Sequence, residues 1–256
     1  MVYLNTSAHQ GMKVVTKNMT RMVSPSPGNS FILLFVDGNI GSGKSTFVET
    51  FKADLKFLEP VEKWTPYLAK LYSENVTHAN VIEFQHVVAA HYEDVLTRLE
   101  SAVLKAPKER WTVAVVERNP MSGLYVFGAK AKDSSLPGFQ PWLIPILETR
   151  YKLMEKRLER LQRHPFRARV ISLFLDPPTS FCVNNVLTRM DPNGSAIVKG
   201  NFLGMLKDLY STEYATTFVE DKSMQKTSGF VVRVDSARYS PNSLCELVQG
   251  VFEITL

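Results

Sequence analysis

The sequence predicts an α/β domain: a parallel sheet of about five strands with helices on both faces. Three observations predict it. Short runs of Val, Ile, Leu and Phe alternate with longer segments of helical period, and each run is bounded by turn or cap residues. A glycine-rich stretch, Gly38-Asn39-Ile40-Gly41-Ser42-Gly43-Lys44-Ser45, follows one such run and opens a helical pattern. The 256 residues, 45% hydrophobic and 21% charged, are enough for one sizeable core without forcing a second.

Residues 1 to 30 mix Ser, Thr, Asn, Met and Lys without apolar period and end in the breaker cluster Ser24-Pro25-Ser26-Pro27-Gly28-Asn29, which reads as a flexible basic extension. Residues 31 to 256 form the domain. Its strands are predicted at Phe31 to Val36, Leu55 to Glu59, Thr112 to Glu117, Arg169 to Leu175 and Phe230 to Val234. Their near-continuous apolar content suits strands covered on both faces. The clearest helix runs from Ala79 to Leu104, where Val81, Val88, Val95 and Ala102 recur every seven residues, and Pro107 ends it. Further helices are predicted over Lys44 to Ala53, Pro141 to Arg163, Thr179 to Thr188, Lys199 to Thr217 and Asn242 to Phe252.

Composition narrows the function classes. Of the net charge of +5, three come from Lys13, Lys17 and Arg21 in the acid-free stretch 1 to 36, leaving +2 for the rest. The body lacks Lys/Arg runs interleaved with aromatics, so a nucleic-acid groove is not expected. Cys182 and Cys245 form no CxxC or Cys/His cluster, which argues against a zinc site or disulfide framework and fits reduced thiols. No apolar run approaches the roughly 20 residues that span a bilayer. A cytoplasmic protein without membrane association is expected, with a mitochondrial transit segment as the alternative reading of the basic amino terminus.

The stretch Gly38 to Ser45 satisfies G-x-x-x-x-G-K-[ST] in strand-to-helix context. Such a loop converges backbone N–H groups on a β-phosphate at a helix amino terminus, with Lys44 reaching the β- and γ-oxygens. Ser45 is the expected Mg²⁺ ligand, and Thr46 continues the nucleotide-binding segment. A guanine-reading Asn-Lys-x-Asp is absent, and the run 111 to 116 ends in Glu117-Arg118 rather than the Asp or Asp-Glu of large ATPases.

These residues resemble the deoxyribonucleoside kinase family, which includes thymidine, deoxycytidine and deoxyguanosine kinases and, more distantly, the herpesviral thymidine kinases. The loop is similar to that family's GNIGSGK-[ST], Glu59-Pro60-Val61-Glu62-Lys63-Trp64 to its EPVxxW, Phe84-Gln85 to its FQ, and Glu117-Arg118 to its ERS, in matching order from Phe31 to about Tyr214. The resemblance implies a P-loop kinase fold, ATP and Mg²⁺ as cofactors, and a deoxynucleoside as the small-molecule partner. It implies Glu59 as the general base for the 5′-hydroxyl and Arg118 as the group that orients it. It implies Glu117 with Ser45 at the metal, Gln85 on the base edge, Phe127 stacked on the base, Trp64 as a pocket wall and Tyr72 at the sugar 3′-hydroxyl. From spacing alone Gln85, Val88 and Tyr92 share one helix face, while each aromatic also fits plain core packing. Family members commonly pair through long helices, so the apolar faces of 79 to 104 and 141 to 163 are candidate homodimer surfaces.

The sequence also departs from the family. Asp37 precedes the loop where Glu is usual, Asn119-Pro120 follows Glu117-Arg118, and Leu124 replaces an arginine. The arginine-rich lid is reduced to Arg189, with Lys199 as a helper and Asp191 as a substitute for a sugar-binding Glu. Tyr92 and Gly123 occupy the places where cytosine- and purine-preferring members carry Arg and Asp, so room for the thymine methyl and O4 is expected and thymidine is the predicted acceptor. A thymidylate kinase and a non-catalytic nucleotide-binding regulator are the rival readings.

Overall fold

The computed structural model describes residues 12–15, 31–107, 110–163, 168–189, 202–209 and 230–252. Six strands form one sheet, β1 (Met12–Val15), β2 (Phe31–Gly38), β3 (Leu55–Phe57), β4 (Thr112–Glu117), β5 (Arg169–Leu175) and β6 (Phe230–Val234), in the order β1-β6-β5-β2-β4-β3. β2 to β6 are all parallel, as the apolar runs predict. The sequence reading assigns no element before Phe31. β1 nevertheless pairs antiparallel with β6, from Met12↔Val234 to Val15↔Val231, and is too short for its period to stand out.

β2 is buried along its whole length, and its alternation serves two cores. Phe31, Leu33 and Phe35 join the larger one, under helices α2 (Val61–Leu71), α3 (His78–Lys105), α4 (Pro120–Tyr125) and α5 (Leu143–Leu161). Ile32, Leu34 and Val36 join the other, under α1 (Lys44–Thr50) and the carboxyl-terminal helix Pro241–Phe252. A run that faces a core on both sides has no polar positions, which is why it reads as continuous.

α3 begins at a capping box in which the Thr77 hydroxyl accepts from Asn80 N–H while the Asn80 side chain accepts from Thr77 N–H. Its stripe of Val81, Val88, Val95 and Leu99 lies in the same cluster as Leu147, Tyr151, Met154 and Leu158 of α5. Forked ion pairs flank that seam, Arg150 to Glu93 and Arg157 to Glu100. The inward apolar faces of α3 and α5 are thus packed against each other within this chain. Trp142, Ile146 and Leu153 are the large apolar side chains left exposed around α5.

Several boundaries differ from expectation. β3 stops at Phe57 rather than Glu59, because Pro60 has no N–H and Glu59 N–H donates to Glu117 Oε2 instead of to a ladder partner. α1 ends at Thr50 rather than Ala53, where Phe51 turns to extended backbone. α2 has no counterpart among the predicted helices: Pro60 and Pro66 read as breakers, yet Trp64, Leu68 and Leu71 bring one face onto the larger core. α4 is also new, capped by the Asn119 side chain accepting from Met121 N–H, with Pro120 at the first helical position. Of the helix predicted over 199 to 217, Phe202–Leu209 is described.

Candidate active site

The loop Gly38 to Ser45 emerges from the carboxyl end of β2, where β4 lies to one side and β5 to the other. Ligands of open α/β sheets gather outside such a point of divergence. Gly38 and Gly41 take φ of +144° and +78°, and a Cβ on either would collide with a carbonyl oxygen, that of Leu175 or Cys182 respectively. Both are therefore required by conformation and by space. Three contacts from distant segments brace the loop: Asn39 Nδ2 donates to Leu203 O, Asn185 Nδ2 to Gly41 O, and Ser236 Oγ to Ser42 O, each at 2.8 Å. Asn185 and Ser236 carry no motif and were invisible in the sequence. Lys44 is buried, donates to Asn39 O at 2.8 Å, and is lowered to about 8 by burial first and by the Arg118 charge second. The Ser42 hydroxyl is buried with no partner among the described residues.

Next to the loop, four elements bring Asp37, Glu59, Tyr92, Glu117 and Arg118 together. Ser45 Oγ donates to Glu117 Oε1 at 2.8 Å. Arg118 Nε donates to Glu59 Oε1 at 2.8 Å, its NH1 donates to Gly38 O at 2.8 Å, and NH1 lies 3.9 Å from Asp37 Oδ1. Arg118 holds φ of +67°, an uncommon conformation for a residue with a Cβ and one that costs on the order of 1–3 kcal/mol. Its N–H donates to Val36 O, and the next N–H, of Asn119, donates to Asp37 Oδ2. Asp37 thus anchors the turn that aims Arg118. Burial raises the Glu59 carboxyl above the usual carboxylate range; Arg118 opposes that shift and Glu117 adds to it.

Glu59, Lys44, Ser45, Glu117 and Arg118 open into one cavity that extends to Trp64, Tyr72, Gln85, Val88, Tyr92, Phe127 and Arg189. The predicted loop, acidic and aromatic residues thus converge on one hollow. Trp64 is buried and meets Phe84 and His91 edge to face. Gln85 is 1% exposed, which rules out a solvent-facing amide. Arg118 lies over the Phe127 ring, 4.6 Å from its centroid, so one face of that ring carries a guanidinium. Thr46 lines an adjacent hollow with Ser42, Gly43, Asn185, Arg189 and Tyr239, placing Arg189 at the border of both. Lys199 and Asp191 lie outside the described residues.

The Tyr92 hydroxyl lies within hydrogen-bond distance of both Glu117 O, at 3.1 Å, and Glu59 Oε1, at 3.4 Å. Tyr151 stands behind Gly123, which lines the cavity, and its hydroxyl oxygen would lie 2.5 Å from a Cβ at that position. The same hydroxyl donates to Gln85 Oε1 at 3.2 Å. Tyr151 sits inside the α5 apolar pattern and reads as ordinary core from sequence.

The chain is similar to known proteins. A family model described as deoxynucleoside kinase matches residues 34–251. Protein 143R of Invertebrate iridescent virus 6, which carries a kinase name, is 32% identical over 106 residues, 41% of this chain and 49% of that protein, so the match spans about half of it. The thymidine kinase of Ictalurid herpesvirus 1 (strain Auburn) is 27% identical over 234 residues, 87% of this chain and 85% of the viral one.

Proposed function

The chain belongs to the deoxynucleoside kinase family, and we propose that it transfers the γ-phosphoryl group of ATP to the 5′-hydroxyl of a deoxynucleoside, with thymidine as the preferred acceptor. The observation that carries this reading is the shared cavity: a phosphate-binding loop and a largely buried, partnered carboxylate, Glu59, open onto the same space as an amide and three aromatic side chains. Phosphate donor and planar acceptor can meet there with the carboxylate between them.

In this reading Glu59 accepts the 5′-hydroxyl proton as the oxygen attacks phosphorus. A carboxyl raised by burial is a stronger base than an ordinary one, and the Arg118 Nε–H bond favours its ionised form and aims it. Lys44 and the loop N–H groups meet the β- and γ-phosphates. The unpartnered Ser42 hydroxyl is a ready donor in the same cradle. Ser45 Oγ and Glu117, 2.8 Å apart, are hard oxygen donors that suit Mg²⁺, an ion that retains waters and phosphate oxygens instead of needing an all-protein cage. When bound, that ion neutralises charge on the phosphates. The hollow lined by Thr46, Arg189 and Tyr239 suits the remainder of the nucleotide. Gln85 would read the base edge, Phe127 and Trp64 would flank the ring, and Tyr72 would meet the sugar.

Thymidine is favoured because Tyr151, which meets Gln85, and Gly123 and Val88, which line the same cavity, bring no charge, and because the herpesviral relative over most of its length is a thymidine kinase. ATP-dependent assays with the four natural deoxynucleosides and with thymidine monophosphate test the reading. Thymidine should be the best acceptor, and Glu59→Gln should lower kcat by about 10²–10⁴-fold. Faster turnover of deoxycytidine would overturn the base preference, phosphorylation of the monophosphate alone would overturn the acceptor class, and an unimpaired Glu59→Gln would remove Glu59 from the mechanism.

A further inference from the structure

We infer that Tyr151, wedged against Gly123 and bonded to Gln85, is a positioning residue that sets how the Gln85 amide faces the base and hence which pyrimidine edge is accepted. The inference rests on the reading that Gln85 meets the base. Its observations are separate from that reading: the bond to Gln85, the lack of space at Gly123, and the fixed mount of the tyrosine.

Gln85 is almost wholly buried, so its amide cannot be oriented by solvent. A glutamine amide offers one acceptor and one donor group side by side. The edge of a 4-oxo pyrimidine presents a carbonyl acceptor beside an N–H donor, whereas a 4-amino pyrimidine presents the reverse order. Pairing with both therefore needs two amide orientations. With its Oε1 held at 3.2 Å by the Tyr151 hydroxyl, Gln85 has one orientation stabilised and keeps a second lone pair for the base.

Tyr151 is itself immobilised. It is fully buried on α5, and the preceding residue, Arg150, forks onto Glu93 and also donates to His86 O on α3, the helix that carries Gln85. Gly123 completes the mount. It lies inside α4, where glycine is less favourable than alanine, yet a Cβ there would stand 2.5 Å from the hydroxyl oxygen and 2.9 Å from two ring carbons of Tyr151. The glycine is thus explained by the tyrosine.

The test uses the full chain and compares kcat and KM for thymidine and deoxycytidine. Tyr151→Phe should narrow the ratio of their kcat/KM values by about three- to tenfold, through KM, with kcat for the preferred nucleoside retained. Gly123→Ala, which pushes a methyl group into the hydroxyl, should narrow the ratio similarly, and combining it with Tyr151→Phe should add nothing further because both act on one bond. If Gln85→Leu alters the ratio and Tyr151→Phe does not, the inference is overturned while the base reading stands. If neither alters it, both are overturned. Additive effects of the Tyr151 and Gly123 variants would also overturn it, and should Gly123→Ala be poorly stable the comparison of Tyr151→Phe with Gln85→Leu decides by itself.

Discussion

Lys44 gives the most quantitative prediction. Its ammonium is buried and its pKa falls to about 8 in the nucleotide-free protein, with desolvation as the largest cause and the Arg118 charge next. Triphosphate binding requires the charged form and must raise that pKa. The sign follows: affinity is full where Lys44 is already protonated, below about 8, and declines above it because binding must then take up a proton. At pH 9 only about one molecule in ten retains the charge, so Kd for a non-hydrolysable ATP analogue should rise about tenfold from pH 7, about 1.4 kcal/mol. Isothermal titration calorimetry at pH 7, 8 and 9 and constant ionic strength reads both the affinity and the proton uptake. Lys44→Arg, which stays charged throughout, should flatten the profile whatever its absolute affinity. A flat profile for the unmodified protein, or an equal fall in Lys44→Arg, would refute the reasoning.

Two further predictions concern the supports of the site. Arg118→Ala removes the partner of largely buried Glu59 and the neighbour of buried Asp37 without relieving the positive φ, since alanine also has a Cβ. Denaturant unfolding should show a loss of about 3–5 kcal/mol, and the deficit should shrink as pH falls through the raised Glu59 range, where a proton substitutes for the guanidinium. Gly41→Ala forces a Cβ toward the Cys182 carbonyl at φ of +78° and should cost on the order of 1–3 kcal/mol in thermal unfolding. It should also abolish most of the melting-temperature rise expected when ATP is added to the unaltered chain.

What was legible in the sequence follows from how locally each feature is encoded. The glycine loop, the buried strands and α3 are written in consecutive residues or a single period, so their places could be read directly. Glu59 and Glu117-Arg118 were found through their resemblance to family motifs, and the converging strand ends of a parallel sheet bring them together although 58 residues separate the two acids that meet through Glu59 N–H. α2 was missed because its prolines outweigh a short apolar face until that face meets the core. β1 was missed because four residues carry too little period to stand out without their partner. The lesson is sharpest at Gln85, whose motif was plain in the sequence. Its orientation depends on Tyr151, 66 residues away, and on the missing side chain of Gly123. A residue type and its spacing determine what chemistry is available, whereas the direction of an amide is set by whatever tertiary packing brings against it.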